Sequence, residues 1–250
     1  MRRQRENTRN FWQAIAALAA YLKNTDLLWR VEVQIFMKGQ DWLVTDDGKC
    51  QPCESVRPWE LIRDNYRFYR FLTEVEDILN QLITNEEDVL NQAIDETICL
   101  PAIRKLVRQL VLNSYWVQTQ YLKPDPETGI SVMILYDEIG YPLTVQTVTL
   151  SPGSVSPIHN HGTWGIVAVM KGQEKNTFWR RTNHPDFPAK IDRVGEKILK
   201  EGDIISFTPD AIHSIQAVGD EPTITFNIYG EASMSKRFEF DLDKATAKNY

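Results

Sequence analysis

Large apolar residues return every three or four positions in the first half of the chain and every second position in the second half. Phe11, Ile15, Leu18 and Leu22 stand at i, i+4, i+7 and i+11, an amphipathic helix that Asn7 or Thr8 would cap. Val31, Val33 and Ile35 alternate, and Asp47-Gly48 is a turn signal, which predicts a short hairpin within 29–46. Pro58 suits the first position of a helix running through Trp59, Ile62, Tyr66, Phe68, Phe71, Val75, Ile78 and Leu82. A further helix is expected at about 85–97. Pro101 opens another through Ile103, Leu106, Leu110 and Val111, reaching about Leu122. Lys123-Pro124-Asp125-Pro126-Glu127-Thr128-Gly129 is a connector by its proline, aspartate and glycine content.

Beyond that connector the period changes to two. Strands are expected at 131–136, at 143–150 after the turn Gly140-Tyr141-Pro142, around the pair His159/His161, and at 165–170 and 174–181. More follow at 189–199, 204–208, 212–217 and 222–229, after a proline-broken loop at 182–188. Short strands at regular spacing with glycine and proline turns indicate a sandwich or barrel. The fold class is therefore α+β, with a helical N-terminal region at 1–123 and a β-barrel at 124–250.

Composition changes this picture little. A net charge of −6 over 250 residues speaks against a nucleic-acid partner. Three cysteines, Cys50, Cys53 and Cys99, cannot all pair and suit a reducing compartment, so a cytoplasmic location is expected. Phe11–Leu22 follows four arginines in the manner of a secretory signal, but it contains Gln13 and lacks a small-x-small cleavage site before Lys23. No apolar run reaches the roughly 20 residues of a membrane span. Cys50-x-x-Cys53 lacks a convincing second pair for a structural zinc and reads as two incidental loop thiols.

The chemistry concentrates in histidine. His159, His161 and His213 are three of only four in the chain, and His184 lies in a proline-rich loop, more suited to solvent than to a ligand set. Neutral imidazole is the commonest metal ligand. Two histidines at i and i+2 share a face on a strand but lie about 200° apart on a helix, so the pair asks for a β context. Two linked patterns frame them. The first is Gly153, His159-x-His161, Gly165 and Gly172; the second is Gly202-Asp203-Ile204-Ile205-Ser206-Phe207-Thr208-Pro209 with His213 beyond.

These residues resemble the two motifs of the cupin superfamily, whose fold is a double-stranded β-helix or jelly roll. A carboxylate ligand normally stands where this chain has Gly165. Its replacement by a non-ligand, leaving three histidines, resembles the thiol dioxygenase branch. Pro157-Ile158-His159-Asn160-His161-Gly162-Thr163-Trp164-Gly165 is similar to the bacterial cysteine and 3-mercaptopropionate dioxygenases. The resemblance covers about 130–230. It implies a cupin domain binding iron(II) through His159, His161 and His213, with a small thiol and O2 as partners. Three neutral ligands leave the ion its full charge, which favours an incoming thiolate. Two alternatives stay open: a zinc site used for hydrolysis, and a non-catalytic cupin that binds a small molecule. A homo-oligomer is allowed for; a membrane partner is not expected.

Several positions depart from the family. Its serine-x-histidine-x-tyrosine run corresponds to Thr225-Phe226-Asn227-Ile228-Tyr229. Alternation predicts that Thr225, Asn227 and Tyr229 face the metal cavity, with Tyr229 in the catalytic place and no histidine relay. Gly165 cannot form the cysteine–tyrosine crosslink of mammalian relatives. The strand 130–137 lacks the arginine that holds the substrate carboxylate, so Arg180 and Arg181 are the candidates to replace it. Trp164 either walls the substrate pocket or is a core residue.

Overall fold

Alternation in the second half of the chain is realised as two sheets facing each other. The computed structural model describes residues 39–54, 65–83 and 96–249, apart from 140, 142, 183 and 233. The expected helix at 11–22, the alternation at 31–35, the helix start at Pro58 and most of the helix at 85–97 lie outside the described residues. One seven-stranded sheet contains β1 (Asp41–Val44), β2 (Cys50–Cys53), β3 (Ile130–Asp137), β4 (Leu143–Leu150), β6 (Gly165–Lys171), β9 (Ile204–Phe207) and β11 (Thr223–Gly230). Its order is β2-β1-β9-β6-β11-β4-β3. The six-stranded sheet joins β5 (Ile158–His159), β7 (Gln173–Arg181), β8 (Ile191–Lys200), β10 (Ile212–Val218), β12 (Phe238–Asp241) and β13 (Thr246–Asn249) in the order β13-β12-β5-β10-β7-β8.

A hairpin forms around the Asp47-Gly48 turn signal. β1 and β2 flank that turn in antiparallel register, and Gly48 takes φ +74°, a conformation that suits glycine. β1 also runs parallel to β9, so residues assigned from sequence to the helical region complete the sheet of the barrel. The boundary at 123/124 does not follow the sheet.

Among the described residues the helices are α1 (Phe68–Ile83), α2 (Leu100–Asn113) and α3 (Tyr115–Thr119), with a 3-10 turn at Glu96–Cys99. The single helix expected from Pro101 to about Leu122 is broken at Ser114. Its extended backbone ends α2, and its Oγ accepts from Val117 N to cap α3. Phe68, Phe71, Leu72, Val75 and Leu79 form the buried stripe of α1, and Ile103, Val107, Leu110 and Val111 that of α2.

Both stripes pack on the outer face of the seven-stranded sheet, against Leu143, Val145, Ile166, Ala168, Ile204, Phe226 and Ile228. Phe71 meets Phe226 edge to face at 5.9 Å. The inner face presents Val167, Val169, Ile205 and Phe207 to Phe178 and Leu199 of the second sheet. The seven-stranded sheet is thus the middle of three layers. That position explains why Gly165–Met170 reads as a continuous apolar run: side chains on both faces are covered.

Candidate metal centre

His159 ends β5, His161 lies in the loop that follows, and His213 is the second residue of β10, directly across from His159. The strand expected to carry both members of the pair stops between them. Asn160 is the cause. Its Oδ1 accepts from Phe238 N at 2.7 Å, its Nδ2 donates to Lys236 O at 2.9 Å, and its own N–H donates to Phe238 O. This clamp pulls the chain out of strand geometry while keeping both imidazoles on one cavity.

The three rings converge. Their ligand nitrogens lie within 4.8 Å of one another, and Nε2 of His161 is 2.9 Å from Nε2 of His213. Three imidazoles at this spacing are the donor set that a divalent transition-metal ion takes. Two tautomers are fixed from behind. Nδ1–H of His159 donates to Pro157 O at 2.9 Å, and Nδ1–H of His213 donates to Asn176 Oδ1 at 2.9 Å. Each leaves its Nε2 lone pair for the cavity.

Electrostatics keep these bases neutral. Burial holds His161 well below the usual histidine range, with His159 and Arg237 pushing the same way. Burial and the other two imidazoles do the same for His213. His159 is lowered by burial, against the Pro157 hydrogen bond. The donor set therefore fits a divalent ion without prior deprotonation.

His159 and His161 open on a cavity of about 320 Å³, lined also by Thr144, Gln146, Thr163, Tyr229, Arg237 and Glu239, with His213 buried behind them. Tyr229 stacks on His161, with centroids 4.7 Å apart and planes at 30°. Phe207 floors the site, 4.3 Å from the ring of His213. Of the three residues expected to face the metal together, only Tyr229 lines this cavity. Asn227 and Thr225 are buried deeper in the barrel and hydrogen-bond each other, Nδ2 to Oγ1, at 3.2 Å.

The other expected pocket residues lie elsewhere. Trp164 is 1% exposed and belongs to the core under the helices, so it does not wall the cavity. Arg180 is exposed at the far end of β7. Arg181 lies over the rings of Phe240 and Phe238 at 4.9 and 5.5 Å. Arg237 is the arginine at the cavity; it sits where β12 begins and carries no periodic signal in the sequence. His184 accepts from Asp186 N within its own loop. Cys50 and Cys53 stand three apart on β2 and so point to opposite faces; burial pushes the Cys50 thiol up to about 11. No described helix is long and apolar enough to cross a membrane.

Residues 141–241 match the family described as Cupin. Among solved structures, an oxalate oxidase in complex with the substrate analogue glycolate is 19% identical with a TM-score of 0.36, over 48% of this chain and 60% of its own. A Klebsiella pneumoniae protein with a double-stranded β-helix domain is 17% identical with a TM-score of 0.37, over 46% of this chain and 83% of its own. Bacillus subtilis oxalate decarboxylase, studied for its Mn(II) centres, is 20% identical with a TM-score of 0.36, over 45% of this chain and 28% of its own. The architecture is an α+β one built on a cupin domain.

Proposed function

We propose that the cupin domain of this chain holds iron(II) on His159, His161 and His213 and oxidises a small anionic thiol with O2, R–SH + O2 → R–SO2⁻ + H⁺. The observation that carries this reading is the convergence of three neutral imidazoles beside a cavity that His159 and His161 line together with an arginine. Bound iron(II) supplies the redox chemistry that adds both oxygen atoms to the sulfur.

The chain's own residues then bind and orient. Arg237 offers a fork of donors to a carboxylate or similar anion on the substrate. Gln146 and Thr144, on the same wall, present neutral hydrogen-bonding groups to the rest of the molecule. Tyr229 brings a phenol to the cavity beside His161, where it donates a hydrogen bond to charge developing on the substrate. Phe207 and the apolar barrel beneath keep water from the buried side of the site.

Oxygen consumption by iron-loaded protein, measured with 3-mercaptopropionate, cysteine and cysteamine, tests the proposal. Uptake of one O2 per thiol with a sulfinate product is expected, fastest for the two thiols that carry a carboxylate. Absence of uptake with every thiol overturns it.

A further inference from the structure

Asn176 and Glu174 point into the barrel from β7, on the side that faces His213 and Ala217 of β10. Both are buried, at 0% and 1% exposure. The hydrogen bonds form a line: His213 Nδ1–H to Asn176 Oδ1 at 2.9 Å, then Asn176 Nδ2–H to Glu174 Oε1 at 2.8 Å. Glu174 Oε2 has no hydrogen-bond partner among the described residues. A carboxyl group in an apolar barrel is costly, and an aliphatic residue would fill the place at lower cost.

The chemistry of the amide supplies a reason for it. The oxygen and nitrogen of Asn176 are nearly equal in shape, so packing alone does not choose which one meets His213. If Nδ2 faced the ring, Nδ1 would become the acceptor and the proton would move to Nε2, on the cavity side. Glu174 Oε1 accepts from Nδ2 and so holds the oxygen towards His213. His159 needs no second link, because its partner is the carbonyl of Pro157, an acceptor in any orientation.

We propose that Glu174 and Asn176 form a buried positioning relay that fixes the tautomer of His213 and thereby sets the metal affinity of the site. This rests on the three-histidine metal reading above. Neither residue touches substrate; both act through His213.

Two measurements on the full chain test the relay: histidine ¹⁵N spectra of the metal-free protein, and titration with cobalt(II) alone. Wild-type His213 is expected to carry its proton on Nδ1. Asn176→Leu and Glu174→Leu, which keep the volume and remove the polar groups, are expected to move that proton towards Nε2. Cobalt affinity then falls about 10–100-fold for the first and about tenfold for the second. The double variant Glu174→Gln/Asn176→Asp restores an acceptor at 176 held by a donor at 174, and is expected to recover both the tautomer and the affinity. A role in packing alone predicts no recovery that depends on hydrogen-bond direction. Wild-type protein that binds cobalt while both leucine variants match it within about twofold overturns the relay and leaves the metal site standing. Wild-type protein that binds no cobalt overturns the metal site and the relay with it.

Discussion

Gly165 decides where Tyr229 can lie. A Cβ built at Gly165 would stand 2.9 Å from Cδ1 and Cε1 of the tyrosine ring, closer than real Cβ contacts allow. The glycine thus gives the phenol its seat against His161. Gly165→Ala is expected to displace Tyr229 and lower turnover about 10²-fold while cobalt affinity stays unchanged; kinetics beside a metal titration would show this. Arg237 makes a complementary prediction. Loss of its charged hydrogen bonds, about 1.5–3 kcal/mol, in Arg237→Gln should raise KM for a carboxylate-bearing thiol by about 10- to 100-fold and leave cysteamine unaffected. The ligand histidines were legible in the sequence because their spacing is fixed by the barrel. Arg237 was not, because a loop returns it to the cavity from a position with no periodicity, whereas strand alternation points to Arg180 and Arg181.

Among the described residues, a buried ionic cluster joins the elements. Asp41 of β1 accepts from Arg108 of α2, and Arg104 Nε lies 3.6 Å from the same carboxylate. Arg108 also donates to Gly202 O at 2.9 Å, and Arg104 to Ser206 Oγ at 3.2 Å. The cluster fastens the helical layer to the sheet strands that lead into the second histidine motif. Removing one partner leaves a buried charge uncompensated, so Asp41→Asn is expected to cost about 3–5 kcal/mol, read as a lower urea midpoint. Sequence periodicity found most of the barrel strands, since one-residue alternation survives wherever one face is buried. The Asp47-Gly48 turn signal was legible, and β1 and β2 flank it. Periodicity ran α2 through Ser114, whose capping hydrogen bond leaves no apolar gap to betray it.

At the scale of the whole molecule, stability without metal should depend on pH in two opposing ways. His161 and His213 stay neutral when folded but take a proton near pH 6.5 when unfolded, so their contribution is complete above that pH and is lost as pH falls below it. Glu174 is raised by burial from 4.5 to about 7, so the folded state holds its proton longer and stability falls as pH rises from 4.5 to about 7. That shift corresponds to about 3 kcal/mol. Thermal unfolding of metal-free Glu174→Gln should accordingly show a gain over wild type at pH 8 that vanishes near pH 4. The three-layer arrangement, with helices behind the middle sheet and the cavity in front, leaves the metal centre as the feature on which every functional claim depends. Its most direct test is metal analysis of protein purified without air, for wild type and His213→Ala. The account predicts close to one iron per chain in wild type and none retained in the variant; stoichiometric metal held at the same site by His213→Ala would contradict it.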